Sequence, residues 1–456
     1  MNKKGILIGA PLDYGGGGFV RYHNILPYLA KYFKNNDISL VLLPTCNSLA
    51  AVLKSLVLSG HSLEKAYSIV ADDMLRIAKK SAVQTYIIEP VLNYSYEILR
   101  KELRYNDLLK KKVLGFTLID MYYRSIIETN CMNSYMNLIN DLNGSTIFAY
   151  SFLESYDHIL TLRRIGRELK SSKNAVMLQV EPYEPIRTIS PKAIIKSFES
   201  FYRYKRTLSL YDEMMKYYKL KLLLSVSSEP ILVSGIDELA NRYGCNITIP
   251  RPANAFDSGM LRFRSTRGKG PTAVFFARLI PTKGLYEIPY IWKCVNKLNP
   301  NAELKVIGAF GDVRHQHTFF DLIAKLNVKN IRYLGYLTRE KMWQEISEAK
   351  VLVYPSHQDA FPLTVLESLA LGLTIVAYEI PAIISAFTNL PPLLKVHEGD
   401  VQMMAEQVSV VLNMSDDLLQ RQHEDEKTKN FLNLHSSWEN VAKAEYNLLT
   451  SLWVKD

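Results

Sequence analysis

The sequence predicts an α/β protein made of two doubly wound domains in tandem. Three observations carry this. At 456 residues the chain exceeds one ordinary core, so two domains, or three, are expected. Short apolar runs rich in β-branched residues alternate with helical patterns, as in parallel sheets covered on both faces. That alternation begins afresh after the loop PRPANAF, Pro250 to Phe256.

The first strand is read at Gly5 to Ala10. It leads into PLDYGGGGFVRYHNIL, Pro11 to Leu26, a glycine-rich turn followed by an amphipathic helix. Strand, glycine turn and helix are how a doubly wound domain opens. A second strand spans Ser39 to Leu43. Residues 48–140 carry Leu, Lys, Glu and Tyr at three-to-four spacing and read as a helical insertion, with YIIEPVL, Tyr86 to Leu92, a candidate strand inside it. TIFAYSF from Thr146, a helix over 156–171 and AVMLQVEPYEP from Ala175 read as strand, helix, strand; LLLSVSS from Leu222 adds another strand. In the second half, strands start at Thr272, Glu303, Ile331, Val351 and Thr374. The expected division is 1–250, 251–430 and a last segment, 431–456, whose amphipathic helix from Trp438 to Trp453 suits packing on either domain.

Composition narrows the class. Hydrophobic residues make up 48% and charged residues 22%, as in soluble globular proteins. No apolar stretch approaches the roughly eighteen residues that span a bilayer, and the first apolar run, Gly5 to Leu12, is short and followed by glycines rather than a cleavage site. A cytoplasmic protein is expected. Cys46, Cys131, Cys245 and Cys294 are scattered, without C-x-x-C, so buried thiols are expected rather than disulfides or zinc ligands. The net charge of +10 favours anionic partners, nucleotides, phosphorylated lipids, membrane surfaces or nucleic acid, without choosing among them.

Ligands of open parallel sheets bind at the carboxyl ends of strands. In ARLIPTKG, Ala277 to Gly284, Arg278 and Lys283 project from one strand-to-helix loop, where two cations can clamp a diphosphate; taken alone, such a pair is more often solvated surface. Gly308 and Gly311 in VIGAFGD allow close approach of backbone to a ligand, or form an ordinary tight turn. In PSHQDAFPLTVLESLALG, Pro355 to Gly372, Pro362 suits the first helical position, and the helix is expected to run to about Leu371. Its free N–H groups around Leu363 to Val365 form a phosphate site. Asp359 stays in the preceding loop, and Glu367 in the second turn can accept hydrogen bonds from a pair of sugar hydroxyls.

These two segments resemble the donor domain of the large retaining glycosyltransferase family usually numbered four, whose fold is GT-B: two Rossmann-like doubly wound domains facing across a cleft, with a C-terminal helix crossing back. The family pattern is Arg-x4-Lys followed by Glu-x7-Glu. Arg278 and Lys283 match the first pair and Glu367 the last acid; SVSSEPI from Ser225, PRPANAF from Pro250 and SWENVAKAEY from Ser437 are weaker matches. The resemblance covers nearly all of the C-terminal half and the N-terminal half in outline. It implies transfer of a sugar from a nucleotide-sugar to a hydroxyl acceptor, a lipid-linked glycan among the candidates, with retained configuration, no metal and no cofactor beyond the substrate. Arg278 and Lys283 would bind the diphosphate and Glu367 the ribose. Residue 359 would contact the transferred sugar; Ala360, Phe361, Pro362 and Leu363 would offer backbone to sugar and phosphate; Gly16 and Gly17 would form the N-terminal glycine loop.

Two departures are visible. Position 359 is Asp where the family has Glu, one methylene shorter. No His follows the N-terminal-domain strand near QVEPYEP, Gln179 to Pro185, where Glu181 stands nearest the sugar-facing place and Tyr183 and Glu184 are equally close. Asp359 and Glu181 are the catalytic candidates. A glycosyltransferase-like protein that binds a nucleotide-sugar or a partner without catalysis is the alternative. A dinucleotide-dependent oxidoreductase is disfavoured because Gly15 to Gly18 lack the G-x-G-x-x-G spacing. His315 and His317, two apart, suggest a metal that nothing else in the sequence supports. Finally, Lys192 to Lys221 holds eight Lys or Arg, three acids and seven Phe or Tyr. Such a helix suits an anionic membrane surface, or packs its aromatics on the N-terminal sheet; nucleic acid is not expected.

Overall fold

The computed structural model describes residues 3–12, 17–85, 88–109, 126, 129–131, 133–169, 172–183 and 194–454. Their strands are β1 Lys3–Ile8, β2 Ile38–Leu43, β3 Gln84–Thr85, β4 Thr146–Ser151, β5 Lys173–Leu178, β6 Leu220–Ser225, β7 Asn246–Thr248, β8 Thr272–Phe276, β9 Glu303–Ile307, β10 Ile331–Gly335, β11 Val351–Tyr354, β12 Thr374–Tyr378 and β13 Leu393–Val396. Among the helices, α1 is Gly17–Lys34, α2 Cys46–Leu58, α3 Leu63–Ser81, α4 Ile88–Leu109, α5 Tyr156–Glu168, α6 Ile194–Tyr217, α7 Ile288–Leu298, α8 Leu363–Ala370, α9 Pro381–Ala386 and α10 Trp438–Val454.

Two compact units result. One comprises Met1–Val226, Pro230–Ala253 and Val441–Asp456; the other comprises Ser227–Glu229 and Asn254–Asn440. The first holds a seven-stranded sheet in the order β3-β2-β1-β4-β5-β6-β7, the second a six-stranded sheet in the order β10-β9-β8-β11-β12-β13. Every pairing is parallel. The doubly wound α/β class is therefore observed, and the last helix, α10, returns to the first unit from Val441 onward. Each strand order reverses once, between β1 and β4 and between β8 and β11, and a crevice for ligands opens at such a point.

The sheets form where the apolar runs stand: VLVY and TIVAY are buried throughout, as strands covered on both faces must be. Three readings need correction. From Ile88 onward YIIEPVL is helix rather than strand, Tyr86 and Ile87 lying outside the described residues: α4 starts at Ile88, and Val91, Leu92, Ile98 and Leu99, all buried, lie at helical spacing. Pro90 is tolerated because the first turn of a helix needs no N–H there. The strand read from Ala175 to Pro185 ends at Leu178. Of the four cysteines, Cys46 and Cys131 form a disulfide, with Cα atoms 6.5 Å apart across a separation of 85 residues; only the fold brings them together. Cys245 is a buried free thiol and Cys294 a half-buried one.

Within the first unit a buried cluster ties α10 to α1 and β4. Arg21 Nη2 lies 2.7 Å from Glu445 Oε2, with both side chains at most 1% exposed. Tyr22 and Tyr150 donate their hydroxyls to Glu445 Oε1 at 2.9 and 2.6 Å, and Arg21 Nε donates to the Ala253 carbonyl at 2.9 Å. Among the described residues, no helix is long and apolar enough to cross a membrane.

Candidate functional site

In the second unit the reversal between β8 and β11 brings together the two loops singled out in the sequence. Residues 277–284 follow β8 and residues 355–361 follow β11. They are joined by backbone: the His357 N–H donates to the Thr282 carbonyl at 3.0 Å. Gly284 has φ +75°, and a Cβ there would stand 2.1 Å from the Pro355 carbonyl oxygen. Gly284→Ala therefore forces the two loops apart; we expect it to destabilise by more than the ~1–2 kcal/mol of a left-handed residue alone, read from the urea midpoint. Gly308, after β9, has φ +138° and would place a Cβ 2.0 Å from the Ala277 carbonyl oxygen. The close approach it permits is thus between strand ends.

Lys283 is central. Its Nζ donates to the Gln358 carbonyl at 2.8 Å and to Asp359 Oδ2 at 2.6 Å. Asp359 Oδ2 also accepts the Tyr354 hydroxyl at 2.5 Å. The Asp359 N–H donates to Glu229 Oε1 at 3.0 Å, and Glu229 Oε2 accepts the Ala382 N–H of α9 at 3.1 Å. Burial, and then the Asp359 carboxylate, push the Tyr354 phenol far up. Arg278 lies in the same loop as Lys283, exposed; its carbonyl accepts the Ile280 N–H at 2.9 Å, and its guanidinium has no hydrogen-bond or ion-pair partner among the described residues.

Pro362 is the residue before α8 rather than its first residue, with φ −74° and ψ 89°; its non-helical ψ turns the chain into the helix one position later than expected. The helix ends at Ala370, and Gly372 follows with φ +84°. Among the described residues, the N–H groups of Ala360, Phe361, Leu363 and Thr364 have no acceptor, so the segment offers a row of donors. The Phe361 ring is buried against Phe387 and His435, with centroids 5.5 and 6.0 Å away, leaving its backbone as the part that can face a ligand. Glu367 is half-buried, and its carboxylate has no hydrogen-bond partner among the described residues. Burial raises it to about 7, with Arg339 opposing and Asp257 reinforcing the shift.

A second acid–imidazole cluster braces the same loop. His357 Nε2 meets Glu287 Oε1 at 2.5 Å and its Nδ1 meets Glu398 Oε1 at 2.7 Å. Burial alone would lower its pKa, but Glu398 and Glu287 outweigh burial and raise it. A histidine raised in the folded state stabilises fully below its unfolded pKa, about 6.5, and loses that contribution as pH rises through the folded value. We expect His357→Gln to remove this part of the pH dependence of melting and leave a flatter profile above pH 6.5.

In the first unit, Gly16 and Glu184 lie outside the described residues. Gly17 opens α1, and a Cβ on Gly18 would meet Leu153 at 2.8 Å and Gln179 at 3.3 Å. Glu181 is half-buried beyond β5. The Tyr183 ring is packed against Tyr204 and Tyr211, which makes it a core residue. Sequence reasoning missed Glu154, three residues beyond β4. It is 6% exposed, accepts the Gln179 N–H at 2.8 Å and is raised to about 7 by burial. A lone acid in SFLES carries no signal that could have found it. Tyr354 and Glu229 were likewise not singled out. His315 hydrogen-bonds Tyr286 at 2.6 Å, and no group of three or more His, Cys, Asp or Glu stands ready for a metal among the described residues.

On α6, Leu210, Tyr211, Met214 and Met215 are buried, whereas Phe201, Tyr202 and Tyr217 are 44–64% exposed. Lys205 sits over the rings of Phe201 and Tyr204, and Lys216 over Tyr217. Lys192 lies outside the described residues.

Residues 260–429 match the family model described as glycosyl transferases group 1, which contains both loops of the site. The resemblance drawn from the sequence holds over that segment. No curated protein matches the chain. Among solved structures, HepE of Anabaena in complex with UDP is similar at 10% identity and TM-score 0.59, over 98% of this chain and 100% of that one. Sucrose-phosphate synthase from Thermosynechococcus elongatus is similar at 12% identity and TM-score 0.58, over 100% of both chains. A glycosyltransferase from Rickettsia africae is similar at 12% identity and TM-score 0.56, again over 100% of both. At such identities the likeness is one of fold, that of two Rossmann-like units as in GT-B proteins.

Proposed function

We propose that this chain is a glycosyltransferase that moves a sugar from a nucleotide-sugar to a hydroxyl-bearing acceptor. One observation carries the reading: a lysine, an unpaired arginine, four free backbone N–H groups and an unpartnered acid all stand on the strand-to-helix loops and helix start at the carboxyl ends of β8 and β11. Cations with free amides fit a diphosphate, and an unpartnered carboxylate fits a vicinal diol. The group 1 match over residues 260–429 and the UDP in the HepE structure support the same reading.

In this proposal Arg278 and Lys283 hold the diphosphate, Glu367 holds the ribose, and the free N–H groups from Ala360 to Thr364 meet phosphate and sugar. Charge that develops on the departing diphosphate meets donors fixed in advance, which lowers the barrier without reorganisation. Retention of configuration, with the diphosphate itself assisting attack from the same face, is the stereochemical course proposed. The test is release of nucleoside diphosphate from a panel of UDP-, GDP- and ADP-sugars, with the anomeric configuration of product read by proton NMR. Release that occurs with one donor and is lost in Lys283→Ala supports transfer. Binding without release in the presence of varied acceptors favours the non-catalytic alternative.

The carboxyl of Glu367, raised to about 7, gives a pH signature. Ionised, it accepts two hydroxyl donors; protonated, it loses part of that capacity. Donor affinity should therefore fall as pH drops through about 7, and Glu367→Gln should bind more weakly with a flat profile between pH 6 and 8. For the acceptor, a lipid-linked glycan is supported by α6, whose exposed Phe201, Tyr202 and Tyr217 lie among Arg203, Lys205 and Lys216. Sedimentation with vesicles containing phosphatidylglycerol should exceed that with neutral vesicles and fall with salt; Arg203→Ser/Lys205→Ser/Lys216→Ser should abolish the difference.

A further inference from the structure

We infer that Asp359 acts on Lys283 rather than on the transferred sugar, and that Tyr354 holds it there, so that both are positioning residues for the lysine. The inference rests on the diphosphate reading of Lys283 given above.

Asp359 Oδ2 receives two donors at once, Lys283 Nζ at 2.6 Å and the Tyr354 hydroxyl at 2.5 Å. Its main chain is fixed as well: its N–H is bound by the buried Glu229 at 3.0 Å, and the next carbonyl, of Ala360, accepts the Ser227 hydroxyl. An Asp side chain on a backbone so held has little reach, and its carboxylate is turned back toward the β8 loop. Tyr354 is 2% exposed, at the last position of β11, so its hydroxyl meets Asp359 and no ligand.

An ammonium group has three donors on a flexible four-carbon stem. Two of those of Lys283 are taken, by Gln358 and Asp359, which leaves one for an anion. The stem is thereby ordered before the anion arrives, and that ordering need not be done at the expense of binding. The sign of the effect separates this role from its rival. Were Asp359 only a neighbouring negative charge, removing it would tighten diphosphate binding. As the anchor of Lys283, its removal loosens the lysine and weakens binding.

UDP and uridine are titrated calorimetrically into the full chain and into Asp359→Ala, Tyr354→Phe, Lys283→Ala and the Lys283→Ala/Asp359→Ala double variant, each checked for an unchanged near-ultraviolet circular dichroism spectrum. GDP and ADP replace UDP if UDP does not bind. We expect about tenfold weaker UDP binding in Asp359→Ala and about threefold in Tyr354→Phe, the scale of one charge-assisted hydrogen bond lost in part, with uridine binding unchanged. Asp359→Ala adds no weakening in the Lys283→Ala background. Tighter or unchanged UDP binding in Asp359→Ala, or equal losses in both backgrounds, overturns the inference. A ligand-free readout runs beside it: acetylation of Lys283 by an N-hydroxysuccinimide ester, followed by mass spectrometry. Tyr354→Phe, which keeps every charge, should raise labelling of Lys283 severalfold relative to Lys297; unchanged labelling overturns the inference. If no nucleoside diphosphate binds the parent protein, the donor reading fails, and the labelling still decides this one.

Discussion

Lys283→Ala lowers kcat/KM for the donor by about 10²- to 10³-fold, the scale of losing one preorganised donor to developing negative charge. Two effects add in the same direction. In the proposed site the cation that would meet the diphosphate is gone, and the Asp359 carboxylate, paired with Lys283 at 2.6 Å in the parent, would face the phosphates uncompensated. Arg278→Ala should cost less than Lys283→Ala, because Arg278 is exposed and surface charge is screened by solvent and salt. The losses of the two single variants should not add in the double variant, since in the proposed site both cations serve one anion. Nucleoside diphosphate release under kcat/KM conditions measures all three.

Glu445→Ala destabilises the first unit by about 3–5 kcal/mol, the cost of leaving a buried charge without its partner. Glu445 is fully buried and Arg21 is 1% exposed. The same truncation takes the shared acceptor from the hydroxyls of Tyr22 and Tyr150, which both donate to Glu445 and are left with each other. Against a total stability of about 5–15 kcal/mol, such a loss is large, and α10 should be the first element released. Paired replacement, Arg21→Met with Glu445→Leu, should recover much of the loss, because two apolar side chains of similar volume need no compensation in the core. Urea denaturation followed by circular dichroism, with hydrogen exchange over residues 441–452, reads both the size and the place of the effect.

The strands were legible wherever an apolar, β-branched run is buried on both faces. VLVYP and TIVAYE fall on β11 and β12 because nothing but a covered parallel strand suits such runs. YIIEPVL reads as a strand for the same reason, its composition, whereas the buried Val91 and Leu92 continue through Ile98 and Leu99 with helical spacing. β7, NIT, is exposed or half-buried throughout, and β13, LLKV, is broken by an exposed lysine, so neither shows a buried apolar run. At the site, Arg278, Lys283, Asp359 and Glu367 were legible from spacing around strand ends and a helix start. Their connections were not. Asp359 meets Lys283 across 76 residues and Glu229 across 130, and Tyr354 reads in sequence as one more apolar strand residue. The disulfide between Cys46 and Cys131 and the Arg21–Glu445 pair are of the same kind, since tertiary pairing leaves no local pattern.

In the proposed function the carboxyl ends of β8 and β11, with the α8 segment, bind a nucleotide-sugar through its diphosphate and ribose. Calorimetry of UDP-, GDP- and ADP-sugars against the parent protein and Glu367→Ala tests it most directly. One nucleotide class is expected to bind the parent, with affinity at least about tenfold lower in Glu367→Ala, the loss of a carboxylate–diol contact. Binding of no donor, or equal affinity in Glu367→Ala, would contradict it and leave Glu367 a half-buried acid of α8 with no ligand to hold.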